Sequence, residues 1–468
     1  MSAGDMLEGV FEASKNLPLY RQSAWDASQL GEVPYMNLTV VWCCCCFVLE
    51  YYLDIRQRLA FYTQLSLAPE LKGHISDETF KKSTAYNKDK FSFKMVESMF
   101  MFVESLVLML AGYLPYAWDQ SALIAASTGL LGSEYSALFQ EILITFVFVV
   151  MLTTFDTFVS LPFSLYGTFV VEQKHGFNKS TLGLFFQDKV MTLGLTFLLG
   201  FPILSLVVWI VRTGGEYFYF YVWVFLCIVN ILLMTIYPTL IAPLFNKYTP
   251  LEEGETKTAI EELATSVQFP LTNLFTVDGS KRSAHSNAYF YGFFKNKRIV
   301  LYDTLLKQVD LPELLAILGH EIGHWKLWHT VQGFFIVQLY TFALFLAFSY
   351  VQNTPGLFAA FGFAYTTPNP VFIGLMLFTQ TFWTPVEKVL NLLMTFNSRK
   401  NEFQADSYAV GLDMGPPLAS GLVKISIENL SNMVPDPLYS MYHYSHPPLL
   451  ERLRAINDAT RLRKRKGQ

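Results

Sequence analysis

His320-Glu321-Ile322-Gly323-His324 is the stretch on which the chain turns. Asp310 precedes an apolar run, Glu313 follows three residues later, and Pro312 lies between them, the signature of a capped helix start. Leu314, Leu315, Ile317, Leu318, Ile322 and Trp325 recur at helical spacing, so a helix is expected over 311–328. Residues four apart on a helix stand one above the other. Both imidazoles can therefore reach one metal ion, with Glu321 beside them to take a proton from metal-bound water. The plain alternative is a pair of solvent-facing histidines, and the surrounding sequence decides between the two.

Of 468 residues, 52% are hydrophobic and only 15% charged, against about 25% charged in a soluble protein. An α-helical integral membrane protein is expected. Seven stretches reach the roughly 20 residues that cross a bilayer: 35–53, 95–117, 138–162, 190–211, 217–238, 331–351 and 371–394. Residues 1–34 are a polar tail without an apolar core, so the first span reads as a retained signal-anchor. The net charge of −4 gives no ground for a nucleic-acid partner. Cys43 to Cys46 and Cys227 lie in apolar spans and form neither a disulfide framework nor a zinc ribbon. They read as small hydrophobes, with palmitoylation of the cluster as the alternative.

Lysine and arginine set the orientation. Loop 54–94 is strongly basic, 118–137 carries neither residue, and 163–189 holds Lys174, Lys179 and Lys189. The segment from Lys247 and the tail are basic again. The expected plan is a lumenal tail 1–34, five spans within 35–238, and a first cytosolic part 239–330. Two spans within 331–394 follow, then a second cytosolic part 395–468. The ending Lys464-Arg465-Lys466-Gly467-Gln468 resembles a Lys-x-Lys-x-x retrieval signal, which points to the endoplasmic reticulum and the nuclear membrane continuous with it. A helix is expected near 253–267, and residues 397–468 read as helical. A β-hairpin is expected from the run at 287–293 and the run at 298–302. Glu97, Glu104, Asp156, Glu387 and Lys388 fall in or near spans, which suggests a wet cavity inside the bundle.

A hydrolytic zinc site takes three protein ligands and leaves one position open. The third is sought in Asn401 through Asp406. Glu402 and Asp406 are four apart and share a helix face, so one can bind the metal while the other holds a histidine ring by its second nitrogen. His329 is the lesser candidate.

Seven stretches carry a resemblance: Leu161 through Val170, Glu172 through Asn178, Tyr237 through Asn246, Asp278 through Gly292, Gly319 through Trp325, Asn401 through Asp406, and His443 through Arg452. In this order they resemble the CAAX prenyl protease 1 family. These are integral-membrane zinc metalloendopeptidases that trim prenylated proteins, including prelamin A in animals. The resemblance implies one zinc per chain held by His320, His324 and Glu402, with Glu321 as general base. It implies that Asp406 supports a ligand or donates a proton, and that His446 and Arg452 face the tetrahedral oxyanion. Asn287 would belong to an edge strand that holds the substrate peptide.

The implied fold is seven transmembrane helices around a water-filled chamber, closed by a cytosolic, gluzincin-like zinc protease domain with a small β-hairpin. The implied reaction removes the aaX tripeptide from a prenylated Cys-a-a-X tail at the lipid bilayer, with a second upstream cut for some substrates. Asn401 departs from the family, which usually has an aromatic there. Two other readings stay open: a quality-control protease for membrane proteins, and a channel or transporter with structural zinc. The open-coordination motif argues against the second, because structural zinc sites are closed and usually rich in cysteine.

Overall fold

The computed structural model describes residues 33–132, 135–292, 296–363 and 369–466. Most of the expected lumenal tail, Phe293 and Lys295 of the expected hairpin, and Gly467 and Gln468 of the retrieval-like ending lie outside them.

The amino-terminal half is a set of long helices. Helix α1 spans Tyr35–Thr63 and α2 Asp77–Leu110, so the expected loop 54–94 shrinks to a short connection. Ser76 caps α2 by accepting from the Thr79 amide. The second expected span, 95–117, is broken. Gly112 takes a left-handed conformation (φ 68°) and starts α3, Tyr113–Ser127, at 67° to α2. Glycine makes that break because it adopts positive φ without a clashing Cβ. Helix α4, Ala137–Tyr166, and α5, Leu182–Thr213, begin at Ser136 and Thr181 caps. Helix α6 is Phe218–Ile236. Both α4 and α6 continue through π-helical turns, Gly167–Glu172 and Tyr237–Ile241. Pro162 precedes the first and Pro238 lies in the second; each removes an N–H from the regular ladder.

Strand β1 (Tyr248–Pro250), α7 (Glu255–Ser266), β2 (Leu271–Val277), β3 (Ala288–Tyr291) and β4 (Lys297–Tyr302) come next. Helix α8 covers Leu311–Lys326 and α9 His329–Val351. The expected hairpin is present as antiparallel β3 and β4, but it belongs to a four-stranded sheet of order β1-β2-β4-β3. Parallel pairing of β2 with β4 makes the sheet mixed and leaves β3 on an edge. The sheet's core runs through Ile260 and Leu263 of α7, Leu274, Ile299 and Leu301 of the strands, and Leu314, Leu318 and Ile322 of α8. Each such aliphatic side chain contributes roughly 1.5–3 kcal/mol by leaving water.

Helix α10, Val371–Phe378, passes through a π-helical turn, Thr379–Trp383, into α11, Thr384–Gly411. Helices α12 (Gly415–Glu428), α13 (Pro437–His443) and α14 (Leu449–Lys466) close the chain. Among the described residues, five helices are long and apolar enough to cross a membrane, or six if bent α2–α3 is one span. The expected seventh span, 371–394, is helical throughout but is not among them, since Gln380, Glu387 and Lys388 lower its apolar character. At one end of the bundle, Arg212 of α5 makes two bonds to Glu141 of α4 (2.7 and 2.9 Å). Glu141 also accepts from the Val371 amide of α10.

Candidate metal centre and its surroundings

Helix α8 starts at the expected capping box: the Asp310 amide donates to Glu313 Oε2 at 2.9 Å, and Lys424 of α12 pairs with both carboxylates. The helix then lies against α11 at very short range. A Cβ on Gly323 would stand 3.2 Å from the Ala405 Cα and from the Tyr408 side chain. Ala405 and Ala409 are fully buried on the facing side of α11, in line with Glu402 and Asp406. Small residues on both helices thus let the backbones approach until three side chains converge.

His320 Nε2 and His324 Nε2 are 3.2 Å apart, and they lie 3.5 and 3.3 Å from the two oxygens of Glu402. Zinc bonds of about 2.0–2.1 Å in a tetrahedron place donor atoms roughly 3.3 Å from one another. Among the described residues, these three form the one group of histidine, cysteine or carboxylate ligands able to hold a metal. Glu402 Oε2 is buried without a hydrogen-bond partner, as expected of an atom reserved for a cation.

Hydrogen bonds behind the rings set their tautomers. His320 Nδ1 donates to Asp406 Oδ1 at 2.8 Å, which turns its Nε2 lone pair toward the cluster. His329 donates through Nε2 to Gln404 Oε1 at 3.1 Å, so its Nδ1 accepts from His324 Nδ1 at 3.0 Å. The His324 Nε2 lone pair then faces inward as well. Two inward lone pairs and a carboxylate at this spacing repel one another unless a cation lies between them. The donor set fits zinc.

Burial pushes the Glu321 carboxyl above its ordinary range, and Glu402 adds to this against the pull of His320, His324 and Arg452. Burial alone would also raise Asp406, but hydrogen bonds from His320 and Arg452 outweigh it and hold the group below the usual range. Glu402 is likewise held low, by His324, His320, His446 and Arg452 against its burial.

Arg452 grips Asp406 through Nε (2.9 Å) and Nη2 (2.6 Å), which leaves Nη1 facing Glu402 Oε2 at 3.7 Å. His446 is largely exposed, with Nε2 3.3 Å from Glu402 Oε1. Asn287 directly precedes β3; its side chain accepts from the Ala288 amide and its carbonyl from Tyr302. All the expected site residues except Asn287 meet around the cluster. His329 stands behind His324, away from the three ligand atoms. Gln404 and Gly323 escaped the reading of the sequence. The pairing of Gly319 and Gly323 with Ala405 and Ala409, each four apart, was the available signal for close packing.

From α8, the chain enters α9 through Trp328, an exposed residue in the left-handed conformation (φ 62°).

Residues 57–247 match the family described as CAAX prenyl protease N-terminal, five membrane helices, and residues 250–460 match peptidase family M48. The CAAX prenyl protease 1 homolog of Oryza sativa subsp. japonica is 45% identical over 91% of this chain and 98% of its own length. The Homo sapiens homolog is 42% identical, with 88% of this chain and 92% of that protein covered. Ste24p of S. mikatae, a crystal structure, superposes with a TM-score of 0.85 at 38% identity over 91% of this chain and 100% of that one. With its helical membrane half and an M48 half that holds a metal-ready His-His-Glu cluster, the chain belongs to the CAAX prenyl protease 1 family.

Proposed function

We propose that the chain is a zinc endopeptidase that removes the aaX tripeptide from prenylated Cys-a-a-X proteins. The observation that carries the reading is the pair of inward Nε2 lone pairs beside the unpartnered Glu402 oxygen. His320, His324 and Glu402 would hold the zinc as its three protein ligands. Zinc, when bound, polarises the scissile carbonyl and lowers the pKa of its water toward about 7. Glu321 takes the water's proton and passes it to the leaving amine. Asp406 and His329 keep the two imidazoles in the ligating tautomer, and Arg452 orients Asp406. His446, exposed beside Glu402, and the Nη1 of Arg452, which faces Glu402 Oε2, supply donors to the oxyanion. The open edge of β3 after Asn287 takes the extended peptide as an added strand.

Asp156 is exposed within a spanning helix and has no ion pair among the described residues. Such a group belongs in water rather than lipid, which supports a water-filled chamber walled by the helices. The distribution of lysine and arginine supports a cytosolic protease half, and the Lys-x-Lys-x-x-like stretch Lys464-Arg465-Lys466-Gly467-Gln468 supports the endoplasmic reticulum and the nuclear membrane continuous with it.

Two measurements test the reading. Glu402→Ala should strip zinc from the purified protein, whereas Glu321→Gln should retain it and lose turnover. A farnesylated peptide should be cleaved with far lower KM than its plain twin, because each buried CH2 contributes about 0.8 kcal/mol. Equal kcat/KM for both peptides would favour the quality-control alternative. Full zinc in Glu402→Ala would remove that residue from the ligand set.

A further inference from the structure

A second feature adjoins the metal centre from the membrane side. Helices α5, α6 and α9 enclose an apolar groove of about 910 Å3, with Leu195 and Leu199, Leu233 and Ile241, and Phe334 and Val337 on its three walls. Two glycines, Gly200 on α5 and Gly333 on α9, line it, and a Cβ on either would meet nothing within 4 Å. Glycine inside a helix costs roughly 1 kcal/mol against alanine. Here it widens the groove without serving a packing contact.

One end of the groove is tied to the catalytic half twice. Thr330 lines it and directly follows His329, which backs His324 at 3.0 Å. Phe245 lines it too, three residues before Tyr248 of β1, whose hydroxyl bonds to that of Tyr289 in edge strand β3 at 2.9 Å. The apolar wall ends at Gln338, whose buried amide has no partner among the described residues for its nitrogen or its oxygen. From Thr330 to Gln338 the helix rises about 12 Å.

We infer that this groove takes the isoprenoid chain of the substrate while the peptide lies along β3 toward the metal. The inference rests on the prenyl-protease reading and adds to it the place where the lipid is read. The groove suits an apolar occupant that reaches the level of the metal centre and of edge strand β3. The lipid of a prenylated cysteine, whose peptide the proposed activity brings to that centre, is such an occupant.

The test uses the full zinc-loaded chain in phosphatidylcholine vesicles, with Gly333→Leu and Gly200→Leu filling the groove from opposite walls. Since a Cβ at either position meets nothing within 4 Å and the rest of the side chain enters the groove, both variants should fold and cleave the plain peptide as the parent does. For the farnesylated peptide KM should rise about tenfold with kcat little changed, the loss expected when roughly two methylenes no longer find a site. A peptide whose farnesyl chain ends in a photoreactive benzophenone should label residues of α5, α6 or α9 facing the groove. An unchanged KM in both variants, in an enzyme that still prefers the prenylated peptide, overturns the groove assignment and leaves the proposed activity standing. Groove labelling by photoreactive phosphatidylcholine that the prenylated peptide does not displace also overturns it, because the groove is then a lipid furrow. A parent enzyme that prefers neither peptide overturns the activity itself.

Discussion

Gly323 sits between the two ligand histidines, where the side chain it lacks matters as much as those beside it. A methyl group there would press on the Ala405 backbone, which cannot rotate away. At Gly319 the nearest atom is the flexible Met414 sulfur, at 3.1 Å. Gly323→Ala should therefore push α8 from α11, destabilise the fold by about 1–3 kcal/mol and weaken zinc retention. Gly319→Ala should keep its zinc; equal loss in both, read by metal content after dialysis, would show that the helix contact does not set the site. The ligands were legible because their chemistry demands histidine and carboxylate at fixed spacing. Gly323 was not, because a glycine in a helix announces nothing until its neighbour across the interface is known.

His443 supplies a prediction in pH. Burial, with repulsion from Lys94 and Lys388 outweighing the pull of Glu50, lowers its pKa to about 4, and its Nε2 is buried without a partner. Its ring packs against Tyr439 and Tyr442, 4.4 and 4.7 Å between centroids. The unfolded chain binds that proton near pH 6.5. The folded state therefore keeps its full stability above that value and loses it as pH falls toward 4, by up to roughly 3 kcal/mol. His443→Phe should flatten this part of the Tm-against-pH curve relative to the parent. Metal loss in acid affects both proteins, so the difference between their curves isolates the histidine; curves that stay parallel would exclude it.

The elements held two surprises with physical causes. Hydropathy set span 95–117 straight across Gly112, because apolar content is blind to one residue of positive φ. Strands β1 and β2 were missed because β1 has three residues and β2 alternates poorly, whereas aromatic β3 and β-branched β4 were plain. Where helices meet, pairing matters more than propensity. The Arg212–Glu141 pair and the Val371 amide hold α4, α5 and α10 together. Arg212→Met leaves the mostly buried Glu141 carboxylate without its cation and should lower stability by about 3 kcal/mol. Adding Glu141→Gln should restore much of it. Thermal unfolding in micelles showing the double variant as weak as the single would assign the loss to packing instead.

In the whole molecule, the membrane half and the catalytic half are not separable bodies. Helix α11 runs unbroken from its start at Thr384 to Glu402 and beyond, and α8 passes into α9 through one left-handed residue, Trp328. His329, which backs His324, is thus the first residue of a helix long and apolar enough to cross a membrane. A bilayer too thin or too thick for His329–Val351 is met by tilt. Tilt of α9 would bear on the joint at Trp328 and, through His329, on His324. Turnover in vesicles of graded acyl length should peak at one thickness and fall on either side, with zinc retained throughout; a flat profile would mean that Trp328 takes up the motion as slack. Membrane thickness then becomes a gauge for the rate, and one polypeptide would run at different speeds in membranes of different depth.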